Sequence, residues 1–217
     1  PCTVTDTPIL TGPVPTTIRV LLADDENLIR TAVATLLGLE DDLEVVAQAA
    51  TGDEALAVAL RAQPDVAVLD LQMPGLDGIE VAERLAAQLP GCRCIIVTSH
   101  GRPGYLKRAL AVGVRGFLPK TASALVVADV VRSVHAGGRY VDPELAAEAI
   151  ASGDSPLTAR EADVLALAAD GSPVDEIAVR VSLSVGTVRN YLSTAVMKLG
   201  VSNRHEAAAT ARRHGWI

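Results

Sequence analysis

The sequence lacks the features that mark membrane-spanning, secreted and disulfide-bonded chains. No apolar run in its 217 residues approaches the roughly 18 to 20 residues that span a bilayer. The N-terminal segment has neither a basic region nor a continuous apolar core, so we expect no signal peptide. Its three cysteines, Cys2, Cys92 and Cys94, do not make a disulfide framework, and no second ligand pair completes a zinc site. We therefore expect a cytoplasmic protein without membrane insertion.

Charge is unevenly distributed along the chain. The net charge is −7, and the composition, 49% hydrophobic and 21% charged, is ordinary for a globular protein. Residues 1–154 hold 12 lysines and arginines against 20 aspartates and glutamates, whereas residues 155–217 hold 7 against 6. Residues 189–213 contain five basic residues and one acidic residue. This asymmetry predicts two domains with different partners.

Short apolar runs alternate with helical patterns from Ile18 to about Ala136. The runs are rich in valine, isoleucine and leucine and are apolar throughout, which suits parallel strands buried on both faces. They cover residues 18–23, 43–49, 65–70, 93–98 and 116–119. Capping-box patterns at residues 51–54 and 77–80 precede two of the intervening helices. Five βα units predict an α/β fold with a doubly wound, five-stranded parallel sheet.

Polar side chains follow the predicted strands at the points where the strands end. Asp24 and Asp25 end the first strand, and Asp70 ends the third, in the stretch VAVLDLQMPG. Thr98 ends the fourth strand, and Lys120 follows the fifth. Ligands of doubly wound sheets bind beyond the carboxyl ends of the strands, so we expect these side chains to gather at one edge.

The chemistry of this set suits a phosphoryl group. Three carboxylates at one edge repel one another without a cation, and oxygen ligands suit Mg²⁺. A carboxylate nucleophile, a metal that neutralises charge and an ammonium group that binds an oxygen can together hold a phosphoryl group. A single strand-end aspartate is more often a turn residue or a helix cap. The prediction therefore depends on all five residues falling in order at successive strand ends.

These residues resemble the receiver domain of bacterial two-component response regulators. The matched positions are Asp24, Asp25, Asp70, the turn Met73-Pro74-Gly75, Thr98 and Lys120. The resemblance implies a flavodoxin-like receiver over residues 18–136, after a disordered lead-in over residues 1–17. The chain departs from many receivers in one respect, because Pro119 precedes Lys120 where a proline commonly follows the lysine.

The resemblance also implies a role for each residue. Asp70 is implied as the phosphoacceptor. Asp25 and Asp70 are implied to bind Mg²⁺ directly together with the backbone carbonyl of Gln72, and Asp24 to act partly through water. The remaining implied site residues are the phosphoryl-oxygen contacts Thr98 and Lys120 and the switch aromatic Phe117, for which a plain core position is the alternative.

The pattern of the C-terminal part of the sequence predicts a small all-α domain. Residues 137–155 have the composition of a linker with a short helix, and the domain follows over residues 156–217. A capping box at residues 158–161 opens its first helix. Ser172, as the N-cap, and Pro173, as the first helical residue, predict the start of a second helix near 174–181. A third helix is predicted from Val185 to Leu199, and two short helices joined by a tight turn match a helix-turn-helix.

The third helix separates apolar and polar positions. Its predicted buried stripe is Val188, Leu192, Val196 and Leu199, which recur at three- and four-residue steps. Arginine reads guanine and asparagine reads adenine in bidentate fashion, whereas threonine and tyrosine more often bind phosphates. A solvated helix face is the alternative for the polar side.

The motifs Leu157-Thr-Ala-Arg-Glu161, Glu176-Ile-Ala178, Gly186-Thr-Val-Arg189 and Lys198-Leu199 resemble the C-terminal domain of LuxR-type regulators. A receiver joined to that domain is the NarL/FixJ class of response regulator. By this analogy, the residues nearest the bases are Arg189, Asn190 and Ser193, and those nearest phosphates are Thr187, Tyr191, Lys198 and Arg204. Residues 101–105 and 213–217 resemble regulators of membrane-lipid desaturase genes.

The resemblance implies a transcription regulator controlled by phosphorylation. A sensor histidine kinase is expected to phosphorylate Asp70, which promotes homodimerisation and binding to paired half-sites on double-stranded promoter DNA. RNA polymerase is a further candidate partner. We expect no enzyme activity beyond slow, Mg²⁺-dependent autophosphorylation and autodephosphorylation.

Two enzyme classes and one other kind of receiver are the alternatives. Phosphatases of the haloacid dehalogenase type also use a strand-end aspartate but need a second one two residues later, where this chain has Gln72. Dinucleotide-binding enzymes need a glycine-rich turn after the first strand, where this chain has Ala23-Asp24-Asp25-Glu26-Asn27. A receiver that dimerises without phosphorylation is the third alternative, and the complete acidic set argues against it.

Overall fold

A parallel sheet forms the centre of the N-terminal domain. Its strands include the five predicted ones: β1 (Ile18–Ala23), β2 (Leu43–Ala49), β3 (Val66–Asp70), β4 (Arg93–Thr98) and β5 (Gly116–Pro119). A sixth strand, β6 (Tyr140–Val141), pairs with β5, so the sheet has six strands instead of the predicted five. The strand order is β2-β1-β3-β4-β5-β6, with parallel pairing throughout.

The computed structural model describes residues 17–99, 103–151, 155–214 and 216–217. The predicted lead-in therefore lies outside the described residues except at Thr17. Residues 101, 102 and 215, which belong to the two motifs resembling desaturase regulators, also lie outside them.

Helices cover both faces of the sheet, as continuous apolar strands require. They are α1 (Asn27–Leu37), α2 (Gly52–Ala62), α3 (Gly78–Gln88), α4 (Pro103–Ala111) and α5 (Ala124–His135). One buried cluster packs α2, α3 and α4 against the sheet, and the other packs α1 and α5. All five residues of β3 are buried, because β3 lies inside the sheet between β1 and β4.

The segment predicted as a linker is folded onto the N-terminal domain. Besides β6 it contains α6 (Pro143–Ala151), whose Leu145 and Ala149 are buried in the same cluster as Tyr105 and Leu106 of α4. Ala159, at the start of the next helix, belongs to this cluster too. The apolar interior is therefore continuous from the sheet to the C-terminal domain.

The described residues of the C-terminal domain form four helices: α7 (Ala159–Ala169), α8 (Val174–Arg180), α9 (Val185–Leu199) and α10 (Arg204–Arg213). The predicted bounds of α9 agree with the structure. On its buried side Val188, Leu192 and Ala195 are buried, while Val196 and Leu199 are half-buried against the same core. Within the described residues, no helix has both the length and the apolar character needed to cross a membrane.

Helix α8 begins at Val174, at the start of the predicted range 174–181, but its N-cap differs from the prediction by one residue. Pro173 has extended backbone angles (φ −68°, ψ 155°) and is the N-cap, so Val174 is the first helical residue. Ser172 is therefore not the cap. The physical reason is that the backbone of Pro173 is still extended, while its carbonyl already accepts the first helical hydrogen bond, from Ile177 N, at 3.0 Å.

Candidate functional site

Three carboxylates meet at the carboxyl ends of β1 and β3. One oxygen each of Asp24, Asp25 and Asp70 lies within 4.8 Å of the other two. Asp24 and Asp70 are buried, at 6% and 3% exposure, whereas Asp25 is exposed. The structure thus brings together the three acids that were expected at this edge of the sheet.

The backbone around Asp70 requires a glycine at the start of α3. A Cβ on Gly78 would lie 2.2 Å from the carbonyl oxygen of Asp70, a distance that no side chain tolerates. The N–H of Gly78 donates instead to the carbonyl of Leu71 at 3.0 Å. This contact turns the chain directly into α3 and holds the end of β3 in place.

Lys120 neutralises part of this acidic cluster. Its Nζ lies 3.0 Å from Asp24 Oδ2, 3.0 Å from Asp70 Oδ2 and 2.9 Å from Glu26 Oε1. Its backbone N–H donates to the Thr98 carbonyl at 2.8 Å, which fixes the loop after β5 against β4. Glu26 was not among the predicted site residues, although its position directly after Asp25 in the sequence is a usable signal.

Burial controls the ionisation of Asp70. It raises the pKa of Asp70 to about 7, although the hydrogen bond and charge of Lys120 lower it. Asp24 raises it further, and the N–H of Gln72, which donates to Asp70 Oδ1 at 3.3 Å, lowers it. For Lys120, burial lowers the pKa, but hydrogen bonds to Glu26, Asp24 and Asp70 outweigh burial and raise it.

The cluster suits a divalent metal ion with oxygen ligands. Three aspartate oxygens within 4.8 Å of one another match the ligand type that Mg²⁺ and Ca²⁺ prefer. Gln72 lines the cavity beside them. Because Lys120 is bonded to Asp24 and Asp70, a bound cation and the lysine share these two carboxylates.

Metal binding is expected to strengthen as the pH rises through about 7, the pKa of Asp70. A carboxyl group must lose its proton before it binds a metal, so each pH unit below that value weakens the affinity up to about tenfold. Calorimetric titration with Mg²⁺ at pH 6 and pH 8 measures the difference. Equal dissociation constants at the two pH values would contradict it, and Asp70→Asn is expected to remove the pH dependence.

Thr98 and Phe117, predicted as a phosphoryl-oxygen contact and as the switch aromatic, are both buried. Thr98 is 2% exposed at the end of β4, and the next residue, Ser99, lines the cavity next to Asp70. Phe117 is fully buried in the cluster that packs α2, α3 and α4 against the sheet. Its role as a switch stays a prediction.

The C-terminal domain also lines this cavity. The volume is about 440 Å³, and Asp70 and Lys120 lie on its N-terminal side. Arg160, Asp163 and residues 180–183, which form the end of α8 and the turn before α9, lie on the other side. The acidic cluster therefore faces the C-terminal helical half of the chain.

Polar contacts hold the two domains together at this face. The Tyr105 hydroxyl donates a hydrogen bond to Asp163 Oδ2 of α7. Asp77 lies 3.9 Å from Arg160 of α7 and pairs within its own domain with Arg108 of α4 at 2.9 Å. We call these five residues the interdomain lock. None was predicted as a site residue, because a contact between positions 58 residues apart leaves no local pattern in the sequence.

The predicted base-contacting residues of α9 are accessible. Arg189, Asn190 and Ser193 are exposed, and Thr187 and Tyr191 are half-buried on the same helix. Arg204 is half-buried at the start of α10. These placements are compatible with the predicted DNA face, and the individual roles stay predictions.

Lys198 has a partner inside its own domain. Its Nζ lies 2.9 Å and 2.8 Å from the two carboxylate oxygens of Glu161, which is 5% exposed. Glu161 Oε2 also accepts the N–H of Thr158 at 2.7 Å, which completes the predicted capping box of α7. The ammonium group therefore joins α9 to the start of α7 whether or not it also contacts DNA.

The substitution Lys198→Met is expected to lower the free energy of unfolding of the C-terminal domain by about 1–3 kcal/mol, because the buried Glu161 carboxylate loses a charged hydrogen-bond partner. Urea denaturation followed by the fluorescence of Trp216, the single tryptophan, measures it. The control is Arg212→Met, whose pair with Asp170 (2.6 Å) is exposed and worth at most about 1 kcal/mol. Equal decreases in the free energy of unfolding in the two variants would show that the pair between Lys198 and Glu161 stabilises the domain no more than an exposed pair does.

Two family profiles match the chain. The profile described as "Response regulator receiver domain" matches residues 20–132, and the profile described as "Bacterial regulatory proteins, luxR family" matches residues 155–211. The matches coincide with the N-terminal sheet domain and the C-terminal helical domain.

Relatives and solved structures match over nearly the whole length. The transcriptional regulatory protein DesR of Bacillus subtilis (strain 168) is 44% identical over 200 residues, covering 92% of this chain and 99% of DesR. The crystal structure of the response regulator ChrA of a heme-sensing two-component system is 32% identical, with a TM-score of 0.55 and coverage of 93% and 99%. The structure of an RcsB–DNA complex is 25% identical, with a TM-score of 0.57 and coverage of 90% and 99%.

The acidic cluster at the sheet edge, the helix-turn-helix and these matches agree, and the chain belongs to the two-component response regulators that join a receiver domain to a LuxR-type DNA-binding domain and regulate transcription.

Proposed function

We propose that a sensor histidine kinase transfers a phosphoryl group to Asp70, and that this step promotes dimerisation and sequence-specific binding to promoter DNA. The observation that carries the proposal is the arrangement of Asp24, Asp25 and Lys120 around a buried strand-end aspartate. In the reaction, an Asp70 carboxylate oxygen forms a bond to phosphorus while the P–N bond of the kinase phosphohistidine breaks. The imidazole nitrogen leaves with the electron pair of that bond.

Each neighbour of Asp70 has a task in this proposal. Mg²⁺ is the cation that the receiver family and the oxygen ligands favour, and when bound it neutralises charge on the phosphoryl oxygens. Asp24, Asp25 and the Gln72 carbonyl would hold it with Asp70. Lys120 lies 3.0 Å from Asp70 Oδ2 and can move its ammonium group onto a phosphoryl oxygen.

The response is a change of assembly and of DNA affinity. Drawing Lys120 and Thr98 towards the phosphoryl group shifts the loop after β4, and the altered surface then pairs with a second copy. A dimer implies two half-sites about one helical turn apart on the DNA. RNA polymerase is a candidate partner of the bound dimer, and the chain itself does no chemistry beyond slow autophosphorylation and autodephosphorylation.

The test combines a phosphoryl mimic with measurements of mass and DNA binding. Beryllium fluoride with Mg²⁺ should convert the full chain from monomer to dimer in light scattering. It should also tighten binding to a duplex that the chain itself selects from a random pool. Beryllium fluoride alone, or Mg²⁺ alone, should leave the molecular mass and the DNA affinity unchanged. A mass and an affinity that stay constant with both components present would contradict the proposal.

The variant Lys120→Ala separates binding from response in the same assay. Removing the ammonium group from between Asp24 and Asp70 should leave Mg²⁺ affinity equal or higher, because a competing positive charge is gone. Dimerisation should fail, because no group then links the phosphoryl oxygens to the loop after β5. Full dimerisation of this variant would remove Lys120 from the mechanism.

A further inference from the structure

The face of the receiver that carries Asp70 is also the face against which the DNA-binding domain packs. Asp70 is 3% exposed, and α7 and the turn between α8 and α9 form the far side of the cavity next to it. Any donor that reaches Asp70 through this cavity meets residues of the other domain, among them Arg160 and Asp163.

The contact between the domains is built from buried groups. Tyr105, Asp77 and Asp163 are 1%, 2% and 5% exposed, and each takes part in the interdomain lock. Buried polar groups are costly when they lose their partners, so opening this face has a real free-energy cost. Beside them, a Cβ on Gly104 of α4 would lie 3.8 Å from the backbone of Ala159, so the two helices are in close contact.

The same contact leaves the recognition helix accessible. Arg189, Asn190 and Ser193 of α9 are exposed while the lock is formed. The residues of the C-terminal domain that line the cavity come from α7, α8 and the following turn, not from the polar side of α9. The closed arrangement thus obstructs the phosphoacceptor and not the base-contacting side chains.

We infer that the interdomain lock gates the entry of a protein phosphodonor to Asp70 and does not act by masking the recognition helix. The inference rests on the proposed function, since it concerns how the kinase reaches the same aspartate. Residues of α7 and residues 180–183 line the same cavity as Asp70, so a protein surface that approaches Asp70 through this cavity meets the C-terminal domain. A folded kinase domain must displace α7 before transfer, whereas a small phosphodonor can reach Asp70 in the closed form.

Two independent substitutions open the lock. Tyr105→Phe keeps the aromatic ring and removes the hydroxyl that binds Asp163, and Tyr140→Phe, which removes a hydroxyl on β6, is its control. Gly104→Leu adds atoms beyond the Cβ that already touches Ala159 and forces α4 and α7 apart. Gly104→Ala is its control, because a methyl group fits at 3.8 Å.

The experiment compares two phosphodonors on the full chain. One is the phosphorylated catalytic core of a sensor histidine kinase that labels the unmodified chain, and the other is acetyl phosphate. With the kinase, the initial rate of labelling should rise about tenfold in Tyr105→Phe, since a hydrogen bond to a charged group is worth about that factor. It should also rise in Gly104→Leu, which separates the helices sterically. With acetyl phosphate, and in the two control variants, the rate should stay unchanged.

Binding of the unphosphorylated variants to the selected duplex distinguishes gating from masking. Affinity equal to that of the unmodified chain supports gating, whereas tighter binding by Tyr105→Phe would mean that the lock masks the DNA face, and would overturn the inference. Equal acceleration with both donors, or none with the kinase, would also overturn it. Labelling that persists in Asp70→Asn would instead refute the proposed function, so the two failures are distinguishable.

Discussion

Replacement of Asp70 by asparagine is expected to abolish labelling by acetyl phosphate in the presence of Mg²⁺, with a loss of about a thousandfold or more. The amide has the shape of the carboxylate but carries no charge, so it neither attacks phosphorus nor binds the metal well. The fold should survive, because Asp70 is 3% exposed and a neutral side chain there avoids the cost of burying a charge. Lys120 keeps its partners Asp24 and Glu26.

The matched control is Asp65→Asn, immediately before the same strand at its other end. Asp65 Oδ2 accepts the backbone N–H of Arg19 at 2.9 Å, and an asparagine oxygen can accept the same bond. Labelling is followed by electrophoresis that retards phosphoproteins, with circular dichroism as the check on folding. If Asp70→Asn is labelled at the rate of Asp65→Asn, another residue is the phosphoacceptor.

Substitutions on the predicted DNA face are expected to cause two different binding defects, a loss of sequence preference or a uniform loss of affinity. Arg189→Ala and Asn190→Ala should each cost about 1–3 kcal/mol of binding free energy and relax the preference at one base position, because each residue is predicted to make a bidentate base contact. Arg204→Ala should weaken binding to every sequence and lower the salt slope by about one, because Arg204 is predicted to contact a phosphate. Thr187→Ala and Tyr191→Phe should weaken binding without changing the preferred sequence.

Fluorescence anisotropy measures the sequence preference and the salt dependence of binding. It is recorded with the selected duplex and with single-base variants of it, at several salt concentrations. Arg84→Ala is the control, because it removes one positive charge from an exposed position of α3 in the receiver. The base-reading assignment is wrong if Arg189→Ala lowers affinity for all duplexes by the same factor.

The strands of the receiver were predictable because burial on both faces leaves an uninterrupted apolar run. β1, β2, β4 and β5 have the predicted bounds, and β3 differs only at Asp65. β6 was missed because two residues, Tyr140 and Val141, are too short to form a pattern. α10 was missed because its buried side consists of Ala207, Ala208 and Ala211, which carry no strong apolar signal.

The site was predictable where topology alone brings residues together. Strand ends of a parallel sheet share one edge, so Asp24, Asp70 and Lys120 could be placed together without knowing any side-chain contact. The pair between Lys198 and Glu161 and the bond between Tyr105 and Asp163 depend on how helices distant in sequence pack, and no local pattern encodes that. The bond between Tyr105 and Asp163 is the one that we propose controls access of the phosphodonor, and the pair between Lys198 and Glu161 is the one expected to stabilise the C-terminal domain.

The buried cluster that runs from α4 through α6 to Ala159 limits how freely the two halves of this chain can be exchanged with those of relatives. A chimera cut after α6 would place a foreign first helix against Tyr105 and Asp77, and only a helix with an acid at the position of Asp163 and a base at that of Arg160 would restore the polar contacts. A chimera that keeps these contacts must therefore match the surfaces of α4 and α6 to the new DNA-binding domain, although neither helix belongs to the segment that the luxR-family profile matches.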